Sequence, residues 1–291
     1  MILGQIVNGL VIGAMYALIA LGYTLVLGSL HRLNLAHPEV LMVGGFVGVV
    51  MASHNLPIFV GLPAALIVGA LGGLMVEAIS FRRLHGEDAE VGAALSSVAV
   101  GVVMVDVVQK IWGTEPVPLD NLGIERTFEF VGVRFTTIQL AVVGIAAALM
   151  IGLQLLVTRT SLGRQIRAVA DNANYASLFG IDVSHVTRSV FALSSALACA
   201  AGYLISVRLG AANSDIGLAY GLKALAVMAI GGMGDLRGAV LGGLIVGVLE
   251  SIATQFGFGR MTDLLVWVCL IAILVLRPQG LLGRALQESR A

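Results

Sequence analysis

The sequence predicts an all-α, polytopic transmembrane helical bundle of 8–9 membrane helices forming one domain over residues 1–291. Three observations lead there. Of the 291 residues 58% are hydrophobic and only 12% are charged, against roughly 25% charged in an ordinary soluble domain. The mean hydropathy is +0.98. Apolar runs recur along the whole chain, several of them near the roughly 20 residues a helix needs to cross a hydrocarbon core about 30 Å thick.

Those runs fall at about 4–29, 38–53, 58–79, 91–111, 137–157, 187–209, 219–231, 238–254 and 262–277. The first lacks the basic start and small-residue cleavage site of a signal peptide and continues to about Leu30, so it reads as an uncleaved membrane helix. The seventh and eighth are short and flank a glycine-rich break at 231–238, Gly-Gly-Met-Gly-Asp-Leu-Arg-Gly. They are either two passes or one broken, re-entrant element, since irregular backbone survives at membrane depth only where protein buries it or water reaches it. The 37 glycines sit inside apolar runs. Pairs four apart, at Gly9/Gly13, Gly44/Gly48, Gly69/Gly73, Gly238/Gly242 and Gly243/Gly247, suit close helix packing in lipid. Cys199 and Cys269 lie in apolar runs and read as small hydrophobes; neither a disulfide nor a metal site is expected.

Orientation follows from the bias of Lys and Arg toward short cytoplasmic loops. With nine passes and the N-terminus outside, the inner connections hold Arg32, Arg82, Arg83, Arg159, Arg164, Arg167, Arg188, Arg237, Arg277, Arg284 and Arg290, 11 of the 17 basic residues. The long connection at about 112–136 adds Glu115, Asp120, Glu125 and Glu129 and is expected outside, as an ordered turn region without a folded domain of its own. The C-terminus is then cytoplasmic.

The largest inner connection, about 158–187, carries Leu162, Ile166, Val169 and Ala173 at helical spacing, with Arg164 and Arg167 near its start. A second short helix at about 173–179 would stop at Gly180. Asp182 or Ser184 would then cap the next membrane helix. One reading is a helix lying on the lipid surface. A surface anchor, however, has no need of a second helix exposing Ala176, Leu178, Phe179 and Ile181, whereas a docking knob for a partner protein does.

Four blocks, in order, resemble one family. They are Tyr16 to Gly28 with Leu33-Asn-Leu-Ala-His37 and Glu39; Gly163-Arg-Gln-Ile-Arg-Ala-Val-Ala170 with Ala176-Ser-Leu-Phe-Gly-Ile-Asp182; Leu222-Lys-Ala-Leu with Gly231 through Gly243; and Arg277-Pro-Gln-Gly-Leu-Leu-Gly283. The chain resembles the membrane permease subunits of ATP-driven branched-chain amino acid importers, from about residue 5 to residue 284. The resemblance implies a subunit of the bacterial inner membrane that works with a second permease, identical or homologous, with cytoplasmic ATP-binding subunits and with a periplasmic substrate-binding protein. It assigns the second block, Gly163, Arg164, Arg167, Ala176, Leu178, Phe179, Gly180, Ile181 and Asp182, to ATPase docking. One departure is Pro38, where the family usually has glycine; a fixed φ and a missing N–H reset the start of the second helix.

Ionisable groups inside membrane segments are functional candidates by default. Glu77, Asp106 and Glu250 lie within apolar runs and Glu39 near a helix start, although Glu77 has Arg82 and Arg83 close by as partners. Unwound glycine or polar stretches expose helix N-termini able to meet a carboxylate. The candidates for lining the pathway are therefore Asn34, His37, Glu39, Asp106, Gly231, Gly232, Gly234 and Glu250. Gly232-Met-Gly-Asp235 matches part of an intramembrane aspartyl protease signature, but the second carboxylate motif such chemistry needs is missing. No phosphate-binding loop, His-Glu-x-x-His or Gly-x-Ser-x-Gly occurs, so no catalysis, cofactor or nucleic acid partner is expected, and ATP is handled by another chain. The remaining alternatives are a permease for another small solute such as urea and a stand-alone secondary transporter.

Overall fold

A computed structural model describes residues 2–84, 89–119, 127–130 and 133–283. Eleven α-helices carry the described chain: α1 (Ile2–Leu30), α2 (His37–Ser53), α3 (Ile58–Val76), α4 (Ala89–Trp112), α5 (Thr137–Arg159), α6 (Ser161–Asp171), α7 (Ala173–Leu178), α8 (Val183–Leu209), α9 (Ile216–Gly231), α10 (Leu236–Ala253) and α11 (Thr262–Leu276). Among the described residues, six helical stretches are long and apolar enough to cross a membrane: 2–30, 60–81, 90–112, 137–159, 183–209 and 236–276. The last joins α10 to α11 through a kink at Gly257, whose φ is +87°. Helices α2 and α9 are apolar but shorter.

Two helices form the centre. Nearly every residue of α1 from Val11 to Val26, and of α8 from Ser194 to Val207, is buried. Large apolar side chains on α4, α5 and α11, such as Val102, Ile151 and Ile271, face outward instead. Such an arrangement suits a chain whose solvent is hydrocarbon, where association rests on close packing and not on hiding apolar surface. Glycine makes that packing possible. A Cβ on Gly13 or Gly247 would strike the backbone of α10 or α1, and a Cβ on Gly44 or Gly202 would strike a carbonyl across the α2–α8 contact.

The start of α2 is displaced inward. Residues 31–36 form no helix, and the His37 ring lies against Gly22, eight residues before α1 ends, and Ser194, eleven residues into α8. At about 1.5 Å per residue, α2 begins roughly 12–16 Å inside the ends of its neighbours. The irregular backbone there is covered, with Asn34 and Ala36 buried, which meets the requirement for backbone without a helical ladder at such depth. Pro38 occupies the first turn of α2, where a missing N–H costs nothing.

The break at 231–238 is a tight reversal. Helices α9 and α10 pack antiparallel with Gly231 against the Gly238 carbonyl and Gly242 against Val227 and Gly231. The C-terminal stretch closes over it: Leu281 and Leu282 donate their N–H groups to the Ile230 and Gly231 carbonyls, both at 2.9 Å. At the other end of the bundle, strand β1 (Val117–Pro118) pairs with β4 (Ala211–Ala212), and β2 (Thr127–Phe130) pairs with β3 (Val133–Thr136). From the sequence only an ordered turn region is expected here, although Phe128, Phe130, Val133 and Phe135 alternate with polar residues as strands do. Asp120, Glu125, Arg126, Arg284 and Arg290 lie outside the described residues.

Candidate functional site

The segment between α5 and α8 is a rigid two-helix knob. The Thr160 hydroxyl accepts the Gly163 N–H at 3.0 Å and starts α6; Gly163 packs so closely on the last carbonyls of α5 that no side chain fits there. The Arg167 guanidinium donates to the Val157 carbonyl and ties α6 to α5, while Arg164 stays exposed. Ile166 and Val169 form the buried stripe of an otherwise polar helix. Asn172 caps α7 by accepting the Tyr175 N–H at 3.0 Å. The chain leaves α7 at Gly180 with φ +82°, a left-handed conformation suited to glycine. Asp182 then caps α8, accepting the His185 N–H at 3.0 Å. That bond holds the Asp182 carboxyl below its ordinary range.

What this framework presents is apolar. Phe179 is 87% exposed and Leu178 is 80% exposed, with Tyr175 beside them. The sequence placed Ala176 and Ile181 on the same exposed surface, and here it needs correction. Ala176 is only 4% exposed and Ile181 is half-buried, because the short α7 turns that side toward the rest of the fold.

A second group of candidates gathers where α2 and α9 begin. The Asn34 carboxamide oxygen accepts the Ala36 N–H at 3.1 Å. The buried His37 ring lies 3.4 Å from both the Ile19 carbonyl and the Ser194 hydroxyl, with its centroid 4.3 Å from that of Tyr23. Gly217, in the first turn of α9, meets the Pro38 carbonyl and lies beside the Glu39 carboxylate; Gly101 of α4 leaves room for the Glu39 stem. The Glu39 Oε2 and Asn34 Nδ2 atoms are buried without a hydrogen-bond partner among the described residues.

Glu250 lies elsewhere, in an ionic cluster. It accepts the Tyr16 hydroxyl at 2.7 Å and pairs with Lys223 at 2.8 Å; Lys223 also reaches Asp263 at 2.7 Å. Nearby, Arg208 donates to Asn8 at 2.9 Å. Lys223 and Tyr16 were absent from the sequence-based candidates, although a lysine inside an apolar run was the available signal. Asp106 joins none of these groups: it pairs with Lys110 at 2.7 Å on the exposed side of α4. Glu77 pairs with Arg82 at 2.9 Å. Gly231 and Gly232 are buried in the α9–α10 reversal and Gly234 is exposed at its tip. No group of three or more His, Cys, Asp or Glu residues able to hold a metal occurs among the described residues.

Residues 5–274 match the family described as branched-chain amino acid transport system / permease component. The chain belongs to this permease family. Its relatives include the high-affinity branched-chain amino acid transport system permease protein BraD of Pseudomonas aeruginosa, 31% identical over 97% of this chain and 96% of that protein. The corresponding LivH protein of Escherichia coli is 29% identical, with the same coverage. Among solved structures, PsaBC from Streptococcus pneumoniae in complex with Fab superposes with a TM-score of 0.46 at 15% identity, covering 96% of this chain and 91% of that one. All four sequence blocks of the permease reach into one end of the bundle. Gly28 of the first touches Gly234 of the third, and Gly232 of the third touches Gly280 and Gly283 of the fourth. The second block forms the knob beside the end of α1.

Proposed function

We propose that this permease forms the translocation pathway of an ABC importer for branched-chain amino acids in the bacterial inner membrane, by alternating access driven from separate ATPase chains. The observation that carries the reading is the knob: two apolar side chains, Leu178 and Phe179, held almost fully exposed on a framework fixed by three helix caps. Exposed aromatic anchors on a rigid mount are the usual core of a protein interface. The ATPase pair grips them, and its closure rocks the helices attached at α5 and α8. The branched-chain substrate named in the relatives supports the substrate class here over urea or an ion-coupled solute.

In this reading the chain crosses the membrane nine times, with α2 and α9 as short passes, its N-terminus outside and its C-terminus inside. Support comes from the arginines near the knob end. The pathway follows Asn34, His37, Glu39 and the N-terminus of α9, where the unpartnered Glu39 oxygen meets the substrate ammonium and the positive N-terminal ends of α2 and α9 meet its carboxylate. Gly231, Gly232 and Gly234 give the hinge, Glu250 lines the outer half, and Asp106 enters the pathway's wall where the second permease closes on α4. A periplasmic binding protein delivers the substrate on the β1–β4 side.

Uptake of labelled leucine by cells carrying Phe179→Asp tests the reading. Transport is lost while the protein remains in the membrane at normal abundance; normal uptake would sink docking at this knob. Leucine uptake by the chain alone in liposomes, driven by an ion gradient, would instead establish a secondary transporter. Transport of labelled urea but not leucine would move the substrate class.

A further inference from the structure

A cavity of about 340 Å³ opens between the end of α1, the α6–α7 junction and the first turns of α8. It lies where the α6–α7 junction of the knob meets the end of α1, apart from the exposed Leu178–Phe179 surface and from the Glu39 region. Arg32 and His31 line it from one side, Asp171 and Asn174 from another, with Val169 and Val183 as apolar wall. His31 ends α1 in the left-handed conformation common just past a helix C-terminus, φ +53°, and turns the chain toward the cavity.

Charge selects the ligand. Arg32 and Asp171 line the same cavity, yet among the described residues neither forms an ion pair with the other or with any third group. A simple anion such as phosphate would meet Asp171, and a simple cation would meet Arg32. A zwitterion satisfies both, its carboxylate toward Arg32 and its ammonium toward Asp171, and leaves an aliphatic side chain for Val169 and Val183. The volume is at the small end of ligand pockets, about 300–1,000 Å³, which suits one amino acid and excludes a nucleotide.

We infer that this cavity is a cytoplasmic inhibitory site for a free aliphatic amino acid, through which accumulated product slows the importer. The inference rests on the reading above for its sidedness and for the motion it arrests. An occupant touches α1, the α6–α7 junction and α8 together. If it binds the cavity better in one arrangement of these helices than in the other, it holds the population there, and the knob no longer follows the ATPase.

The test uses the complete importer, purified with its own subunits and reconstituted with the ATPase facing an ATP-filled lumen. Initial uptake of labelled leucine falls at least about fivefold when the lumen also holds millimolar unlabelled leucine. Leucinamide, lacking the carboxylate, and N-acetylleucine, lacking the ammonium, are at least about tenfold weaker, as expected for loss of one charge-assisted contact. Arg32→Gln and Asp171→Asn shift the inhibitory concentration upward about tenfold and transport normally into an empty lumen, and Ala173→Trp, which adds bulk at a lining residue, abolishes inhibition. Direct binding of labelled leucine to the importer without its binding protein gives the same order of affinities. Normal uptake that ignores lumenal leucine overturns the site, as does inhibition unchanged in all three variants. Absence of leucine uptake into an empty lumen sinks the substrate reading instead, and leucine binding sensitive to Arg32→Gln would then still uphold the cavity, whereas absence of both would end it.

Discussion

Lys223 on α9 and Glu250 on α10 form an ion pair 2.8 Å long, with side chains only 16% and 12% exposed. At their other end the same two helices touch through glycine, Gly231 on Gly238. The hairpin is thus closed by backbone contact at the reversal and by a charge pair further along. Removing one partner leaves the other, in a poorly hydrated place, with one remaining contact, Tyr16 for Glu250 or Asp263 for Lys223, at a cost of up to about 3 kcal/mol, while removing both costs far less than the sum. Lys223→Met and Glu250→Met are therefore each expected to lower the unfolding midpoint in detergent, and the double variant to melt above the worse single. Additivity within about 0.5 kcal/mol would show that the pair is not coupled. Asp263, mostly exposed, adds little.

Glycine positions separate into two kinds with opposite outcomes. A methyl group at Gly202 would run into the Leu41 carbonyl, and both helices are fixed by other contacts, so Gly202→Ala should strongly reduce the yield of folded protein. Gly144 on α5 has open space around its would-be Cβ. Gly144→Ala should leave the isolated chain as stable or more stable, by about 0.5–1 kcal/mol from helix propensity. Thermal unfolding of the two purified variants checks the contrast, and equal effects would contradict it.

Much of this fold was legible in the sequence. The run at 137–157 became α5 over 137–159, and the helix pair inside 158–187 ended where Gly180 and Asp182 put it, because hydropathy length and capping chemistry are local. The inward start of α2 was not legible, since it depends on His37 meeting Gly22 and Ser194. The Lys223–Glu250 pair was hidden for the same reason: two residues on separate helices share no spacing rule, and only the cost of a lone lysine in an apolar run pointed to a partner. Ala176 was misjudged because a helix of six residues gives too short a pattern to fix its buried side.

Acid should loosen the root of the knob. The His185 N–H donates to Asp182, and this bond, followed by that from Ser184 and the nearby Arg188 charge, lowers the carboxyl from its ordinary 3.8. A depressed folded-state value means that the contribution is complete above the ordinary value and is lost as pH falls through the depressed one. Amide exchange at His185, measured from about pH 5 downward and corrected for its intrinsic rate, should accelerate in the wild type. Asp182→Asn keeps an acceptor at every pH and should flatten that profile. An identical profile in both proteins would mean that the cap does not depend on the carboxylate.

The C-terminal clamp gives a test of the hinge itself. Gly280, at φ +77°, packs against the Gly232 backbone, and the next two residues donate to Ile230 and Gly231. A Cβ at position 280 would need both a left-handed backbone, costing about 1 kcal/mol outside glycine, and space that Gly232 and the Ala229 carbonyl already fill. Gly280→Ala should therefore detach the C-terminal stretch from the α9–α10 reversal while the distant contacts of α1 with α8 keep the bundle intact. The expected result is normal insertion, faster amide exchange at Leu281 and Leu282, and leucine uptake reduced at least about tenfold. If exchange rises but uptake does not fall, the clamp is structural padding and the hinge works without it; if neither changes, the packing described for Gly280 is wrong.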